Sequence, residues 1–390
     1  MKVTRFDYPG ADLAPGERYA EAHRAWQGVP SIALTRGGRL FAAFMSGGIY
    51  EPDPRNFGLL LYSDDEGAHW SAPVLVLNGL PGQRKRNTDI ELWVDPDGKL
   101  HLFWDEAPYP EGLPLPDYQQ KIDMENDSEY HRLEAGDLVM ESVCGDPDAE
   151  ELVFSAPRVL FPGILRNRPF VSANGTWLYP VFLTPPRGYY EFYRSEDRGG
   201  TFAPVRCEGR ALTRNFDEPV FYQADEKTVA VLLRQRDPVF VRALSHDDGK
   251  TWSRPEVLCA AASQRPCAMN LADGRRLLIT SLDPGKRNGL RLWLSEDGMS
   301  FEPAFSLDTR ERVSYPEAVQ AADGSLFVVW DRERNNKIRK NVAAGTSLAA
   351  KEILFARIPP EALKIGSDYV PRVCVISRAL IHTLKNEFTE

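Results

Sequence analysis

Three segments of the 390-residue sequence hold side chains of types that chemistry could use. "NFDEPVFYQADEKTVAVLLR" carries Glu218 and Arg234 sixteen residues apart, "GKRNGLRLWLSEDG" carries Arg287, and "VSYPEAVQAADGSLFVVWD" carries Tyr315, twenty-eight residues beyond Arg287. Arginine binds a carboxylate through two parallel N–H donors. A tyrosine hydroxyl attacks when a base takes its proton, and a carboxyl group can pass a proton to a leaving group. The loop "SGGIYEPDPRNFGLLLYS" adds Glu51 and Asp53, "LRNRPFVSANGTWLYPV" adds Arg166 and Arg168, and "VVWDRERNN" adds Asp331, Arg332, Glu333 and Arg334. Taken singly, a tyrosine at a strand start packs, and alternating charges on a turn pair with one another. Whether these residues do chemistry depends on the fold that positions them.

Other chemistries lack their residues. No two of the six histidines stand at a metal-ligand spacing, and the five cysteines form no CxxC pair. Neither a glycine-rich phosphate loop nor a G-x-S-x-G elbow occurs. No metal and no cofactor is expected.

The positioning elements announce themselves by repetition. "SHDDGKTW" from Ser245 returns as "SDDEGAHW" from Ser63, "SEDRGGTF" from Ser195 and "SEDGMSF" from Ser295. An alternating strand precedes each copy ("FGLLLYS", "YYEFYRS", "VFVRALS", "GLRLWLS") and a second follows it, so each copy caps a hairpin. In such a turn the Asp accepts backbone N–H bonds, the Gly takes positive φ, and the closing aromatic packs on the strands. The starts at 195, 245 and 295 recur every fifty residues, the length of one four-stranded propeller blade with its loops. "LVMESVCGDPDAEELVFSAPRVLF" reads as a degenerate copy in a further blade that also uses "VDPDGKLHLFWDE". A last blade follows residue 310, built from "DGSLFVVWD" and "EILFAR" and closed by the N-terminal strand. The expected fold is an all-β, six-bladed β-propeller spanning residues 1–390 as one domain. Residues 106–136, Pro-rich and then acidic, read as an inserted loop, and 373–386 as an amphipathic helix with Ile376, Leu380 and Leu384 on one side.

Bulk properties narrow the partners. A net charge of -9 supplies no basic footprint for nucleic acid. No segment approaches the ~18 apolar residues of a membrane span, and no signal-peptide core is visible. The chain therefore reads as cytoplasmic, or secreted or periplasmic if a leader was removed. Its oligomeric state is not legible.

The S-x-D-x-G-x-T-W turns on six blades resemble the Asp-box, or BNR, repeats of the sialidase (neuraminidase) superfamily, and the flanking phrases resemble a bacterial sialidase-like branch. The resemblance covers nearly the whole chain, and it implies roles for particular residues. Tyr315 takes the position of the nucleophile, Glu218 that of the base that activates it, and Arg234 and Arg287 those of two members of a carboxylate clamp. Glu51, with Asp53 as competitor, takes the position of the acid, where the family has Asp. One position departs: "AWQGVPSIALTRGG" has Gly28 where the first clamp arginine belongs. Trp26 and Gln27 would then offer a sugar-stacking face and an amide, and Arg168 and Arg332 would rebuild an anion site.

The implied activity is exo-hydrolysis of a terminal acidic sugar from a glycan. Two alternatives stay open: a polysaccharide lyase acting on uronate linkages by β-elimination, and a carbohydrate-binding propeller without catalysis.

Overall fold

A computed structural model of the protein describes residues 1–48, 51, 55–80, 82–83, 85–108, 136–183, 189–208, 218–281, 283–334 and 350–380. Among these there is no α-helix, and most of the strands assemble into six antiparallel sheets of four or five strands, the blades of a β-propeller, with two two-stranded sheets beside them. The first blade runs from Trp26–Leu34 through Leu40–Gly47 and Phe57–Ser63 to Leu75–Leu77, with Ala11–Asp12 added outside. The second orders Lys85–Val94, Leu100–Pro108, Leu138–Cys144 and Arg158–Pro162. The third uses Phe170–Val171, Trp177–Tyr179, Tyr189–Ser195 and Ala203–Glu208, and the fourth Val220–Gln223, Val229–Arg234, Val239–Ser245 and Glu256–Ala260. The fifth holds Cys267–Asn270, Arg276–Ser281, Asn288–Ser295 and Glu302–Glu311; the sixth, Val313–Gln320, Leu326–Arg332, Lys351–Ile358 and Cys374–Ala379.

Two expectations are corrected here. The sixth blade is closed by Cys374–Ala379 and not by the N-terminal strand, which pairs in parallel with Glu151–Val153 instead. The same residues are strand where a helix is expected over 373–386. "CVISRA" carries two β-branched residues and pairs from Lys351↔Ala379 to Phe355↔Cys374, so ladder bonds override a helical apolar period. Residues 381–386, Asp53 and most of the 106–136 insertion lie outside the described residues.

The repeated octapeptide joins the third strand of a blade to its fourth, as the sequence indicates. In the full-length copies Ser63, Ser195 and Ser245 Oγ accept the N–H of Gly67, Gly199 and Gly249 at 2.9, 2.8 and 2.8 Å. Asp65, Asp197 and Asp247 Oδ1 accept the N–H of His69, Thr201 and Thr251 at 2.9, 2.8 and 2.8 Å. Two successive residues of each turn have positive φ, for example Asp248 at 62° and Gly249 at 82°. The second is Gly because that conformation costs it nothing. The closing aromatics pack inward: Trp252 lies 5.6 Å from the rings of both Phe192 and Phe221.

The chain divides into two compact units, one of Met1–Val159, Val329–Phe355 and Val373–Glu390, the other of Leu160–Val328 and Ala356–Arg372. The first has a core around Phe44, Leu59, Leu61, Val76 and Ile353. The second packs Tyr190, Phe192, Phe221, Val231 and Val241 into another. All five cysteines are free thiols.

Candidate functional site

In the second unit, the first strands of the blades bring together side chains that lie far apart in sequence. Tyr315 sits within Val313–Gln320 and Glu218 just ahead of Val220–Gln223, both buried and both at positive φ, 56° and 37°. Neither is glycine, so the backbone at each carries strain, which persists only where the surroundings enforce it. The strain turns both side chains toward one another: Tyr315 Oη donates to Glu218 Oε1 at 2.6 Å. Arg234, the last residue of Val229–Arg234, donates through Nη1 to Glu218 Oε2 at 2.6 Å and to Tyr315 Oη at 3.1 Å. Its Nε donates to Ser263 Oγ at 3.0 Å, which fixes the fork.

Electrostatics follow from this packing. Burial pushes the Glu218 carboxyl upward, but the charges of Arg234 and Arg166 and the bonds from Tyr315 and Arg234 outweigh it and hold the group at about 2. Glu218 is therefore an anion at neutral pH. Arg287 places its guanidinium carbon 5.1 Å from the centre of the Tyr315 ring and donates through Nη2 to the Ser263 carbonyl at 2.9 Å.

Two further residues complete the cluster and were not singled out from sequence. Arg265, fully buried, lies 5.5 Å from the centre of the Tyr315 ring and donates to the Arg166 carbonyl at 2.6 Å. Its Nη2 also reaches Glu317 Oε2 at 3.4 Å. The overlooked signal is a dipeptide. Val29–Pro30, Arg168–Pro169, Glu218–Pro219, Arg265–Pro266 and Tyr315–Pro316 all lie in or just before the first strand of a blade, always the edge strand of its sheet. Proline is tolerated there because an edge strand can forgo a ladder N–H, and in three of the five, Glu218, Arg265 and Tyr315, the residue before it belongs to the cluster.

Arg168 does not join the tyrosine directly. It donates to the Ala318 carbonyl at 2.7 Å and stands 3.9 Å from Glu317 Oε1.

The first unit holds the other sequence candidates. Glu51 forms an ion pair with Arg334. Arg334 also stands 3.1 Å from Asp331 Oδ2, which accepts the Val29 N–H at 3.0 Å. Arg332 is taken up by Glu352 at 3.2 Å and Glu333 at 3.8 Å. Trp26 and Gln27 correct the expectation of a sugar-facing pair, because both are buried and committed to the protein. Trp26 Nε1 donates to the Arg334 carbonyl at 3.1 Å, and Gln27 Nε2 donates to the carbonyls of Lys351 and Ser377 at 3.0 and 2.8 Å. Among the described residues, no three His, Cys, Asp or Glu side chains form a group able to hold a metal ion. No helix among them is long and apolar enough to cross a membrane.

Comparison with known proteins agrees with this architecture. The intramolecular trans-sialidase from Ruminococcus gnavus, solved with oseltamivir carboxylate, superposes with a TM-score of 0.67 at 14% identity, over 91% of this chain and 98% of that one. The NanB sialidase from Streptococcus pneumoniae gives 0.63 at 12% identity over 83% and 67%. A Dyadobacter fermentans protein of unknown function gives 0.60 at 18% identity over 83% and 95%. At these identities the likeness is one of fold. Among curated proteins none matches the chain. The BNR repeat-like domain family matches residues 38–328, three quarters of the sequence, and with its repeated turns and six blades the chain belongs to that family.

Proposed function

We propose that the protein is a glycoside hydrolase of sialidase type that removes a terminal acidic sugar, sialic acid or a relative, from a glycan. The observation that carries this reading is the buried contact of 2.6 Å between the Tyr315 hydroxyl and an ionised Glu218, with Arg234 bonded to both. A tyrosine so placed passes its proton to Glu218 as its oxygen attacks the anomeric carbon. The glycosidic bond to the leaving group breaks as the Tyr–carbon bond forms. The negative charge that develops on Tyr315 is met by Arg234 at its oxygen and by Arg265 and Arg287 at its ring, which is differential stabilisation of the reacting state. The leaving oxygen takes its proton from Glu51 or Asp53, and water then releases the sugar from the tyrosine. A nucleophile that is neutral until the moment of attack suits an anionic substrate, because it does not repel the incoming carboxylate. Arg234 and Arg287 are the residues assigned to that carboxylate.

The test is a panel of chromogenic sialosides, other 2-keto-acid glycosides and uronate oligosaccharides, with Tyr315→Phe and Glu218→Ala beside the wild type. Release of a free acidic sugar that disappears in both variants supports the reading. An unsaturated, ultraviolet-absorbing product replaces it with elimination, and sugar binding without turnover leaves a lectin-like protein.

A further inference from the structure

Glu317 follows Tyr315 by two residues on the same edge strand and is 3% exposed. Its carboxylate meets two arginines that stand just before the first strands of the third and fifth blades. Oε2 accepts from Arg265 Nη2 at 3.4 Å, and Oε1 lies 3.9 Å from Arg168 Nη1. Arg265 is gripped through its other terminal nitrogen as well, since Nη1 donates to the Arg166 carbonyl at 2.6 Å. The guanidinium so fixed is fully buried, and its carbon lies 5.5 Å from the centre of the Tyr315 ring.

The signs of the charges decide what Glu317 can contribute. Tyr315 meets Glu218 and Arg234 at its oxygen and Arg265 and Arg287 at its ring, while Arg166 acts through its charge on Glu218. A carboxylate beside this group opposes a negative charge growing on the tyrosine, so the field of Glu317 does not help the attack. Its contribution is orientation. An arginine side chain has several soft torsions, and a buried guanidinium keeps one pose where acceptors meet its fork of N–H groups. A cation kept at an aromatic face is held more strongly as that ring becomes anionic.

We propose that Glu317 is a positioning residue that holds Arg265 against the Tyr315 ring, so that the arginine meets the charge the tyrosine acquires when it attacks. This rests on the hydrolase reading above. Glu317 acts through Arg265 and needs no contact with the sugar.

The test measures kcat and KM on a chromogenic sialoside for wild type, Glu317→Ala, Glu317→Gln, Arg265→Met and the double variant Glu317→Ala/Arg265→Met. Glu317→Ala should lower kcat on the order of 10²-fold, as a misplacement of about 1 Å does, with KM held within about threefold. Glu317→Gln keeps an oxygen for Arg265 without the charge, and it should recover most of that loss. The double variant should be no slower than Arg265→Met, because a residue that acts through Arg265 then has nothing left to hold. It also removes both members of the buried pair, which proteins tolerate better than the loss of one, so it remains measurable where Glu317→Ala folds poorly. Unchanged kcat in Glu317→Ala, an equal loss in Glu317→Gln, or losses that multiply in the double variant overturn the proposal and leave the hydrolase reading standing. A wild type inactive on the whole panel of acidic glycosides sinks that reading, and the role of Glu317 with it.

Discussion

Replacing Glu218 by Gln exchanges one oxygen for an NH2 group and removes the charge on which the second unit's cluster depends. The carboxylate is 1% exposed and bonds Arg234 and Tyr315 through its two oxygens at 2.6 Å each. Its pKa of about 2, against an ordinary 4.5, corresponds to about 3 kcal/mol of folding free energy. The same order follows independently, since breaking a buried ion pair from one side costs about 3–5 kcal/mol. Because the folded pKa is depressed, this contribution is complete above the unfolded value. It is lost as pH falls from about 4.5 through about 2. Glutamine does not titrate. The stability gap between wild type and Glu218→Gln should therefore stay constant from about pH 7 to pH 5, then shrink by up to about 1.4 kcal/mol per pH unit below that. Urea unfolding followed by tryptophan fluorescence at several pH values measures it. A gap unchanged near pH 3, or one under about 1 kcal/mol at neutral pH, would refute the electrostatic account of the site.

Tyr315→Phe keeps the ring beside Arg265 and Arg287 and removes only the oxygen. Turnover of an acidic glycoside should fall on the order of 10³-fold or more while urea stability moves by about 1–2 kcal/mol, and retained turnover excludes Tyr315 as nucleophile. Asp247→Ala removes the bonds from Ser245 Oγ and from Thr251 N and Oγ1, so it should cost about 1–2 kcal/mol in urea unfolding with kcat unchanged; an equal fall in kcat would place this turn in the chemistry. In the first unit, burial pushes the His101 pKa down, but its hydrogen bonds to Asp95 and Glu141 and the charges of those carboxylates outweigh it and raise the pKa above 6.5. A raised folded pKa gives stability that is complete below 6.5 and lost as pH rises through the folded value. His101→Gln should accordingly flatten the decline in urea stability between about pH 6 and pH 9, and an unaltered pH slope would show that the imidazole is not its source.

How much of this was legible in sequence depends on what kind of residue carried the signal. The blades were, because Ser, Asp, Gly and an aromatic at fixed offsets make a turn that no packing context can replace. Four such turns, with the degenerate fifth, fixed the third and fourth strands. The closing strand was not, since "CVISRA" and the N-terminal segment both present β-compatible residues and only pairing partners distinguish them. Glu218, Arg234 and Tyr315 could be named from family resemblance, but their convergence depends on the edge strands of two blades and on the end of an inner strand, which sequence spacing does not show. Arg265 was missed because its neighbours "AASQRPC" suggest a polar loop, although the X–Pro dipeptide was there to be read. Trp26 and Gln27 misled for a simpler reason. Their residue types suit a sugar, while their alternation in Trp26–Leu34 says nothing about a strand that is buried throughout most of its length.

Backbone strain is what separates the functional candidates from the structural repeats. Glu66, Arg198 and Asp248 have positive φ inside the repeated turns, each followed by a glycine that shares the conformation. These are folding parts. Val29, Asp89, Glu218 and Tyr315 have positive φ at or just before the first strands of the first, second, fourth and sixth blades, and none is followed by a glycine that shares it. At Val29 and Asp89 the ladder itself slips, between Gly28 and Ser31 and between Thr88 and Ile90. A bulge re-aims the side chain it carries, and the cost of order 1–3 kcal/mol at each non-glycine position has no return in the sheet. At Glu218 and Tyr315 the return is visible as a buried hydrogen bond between a base and a hydroxyl. The same backbone device at Asp89, whose carboxylate is buried, makes that residue the next one to substitute if Glu51 and Asp53 prove dispensable for proton transfer.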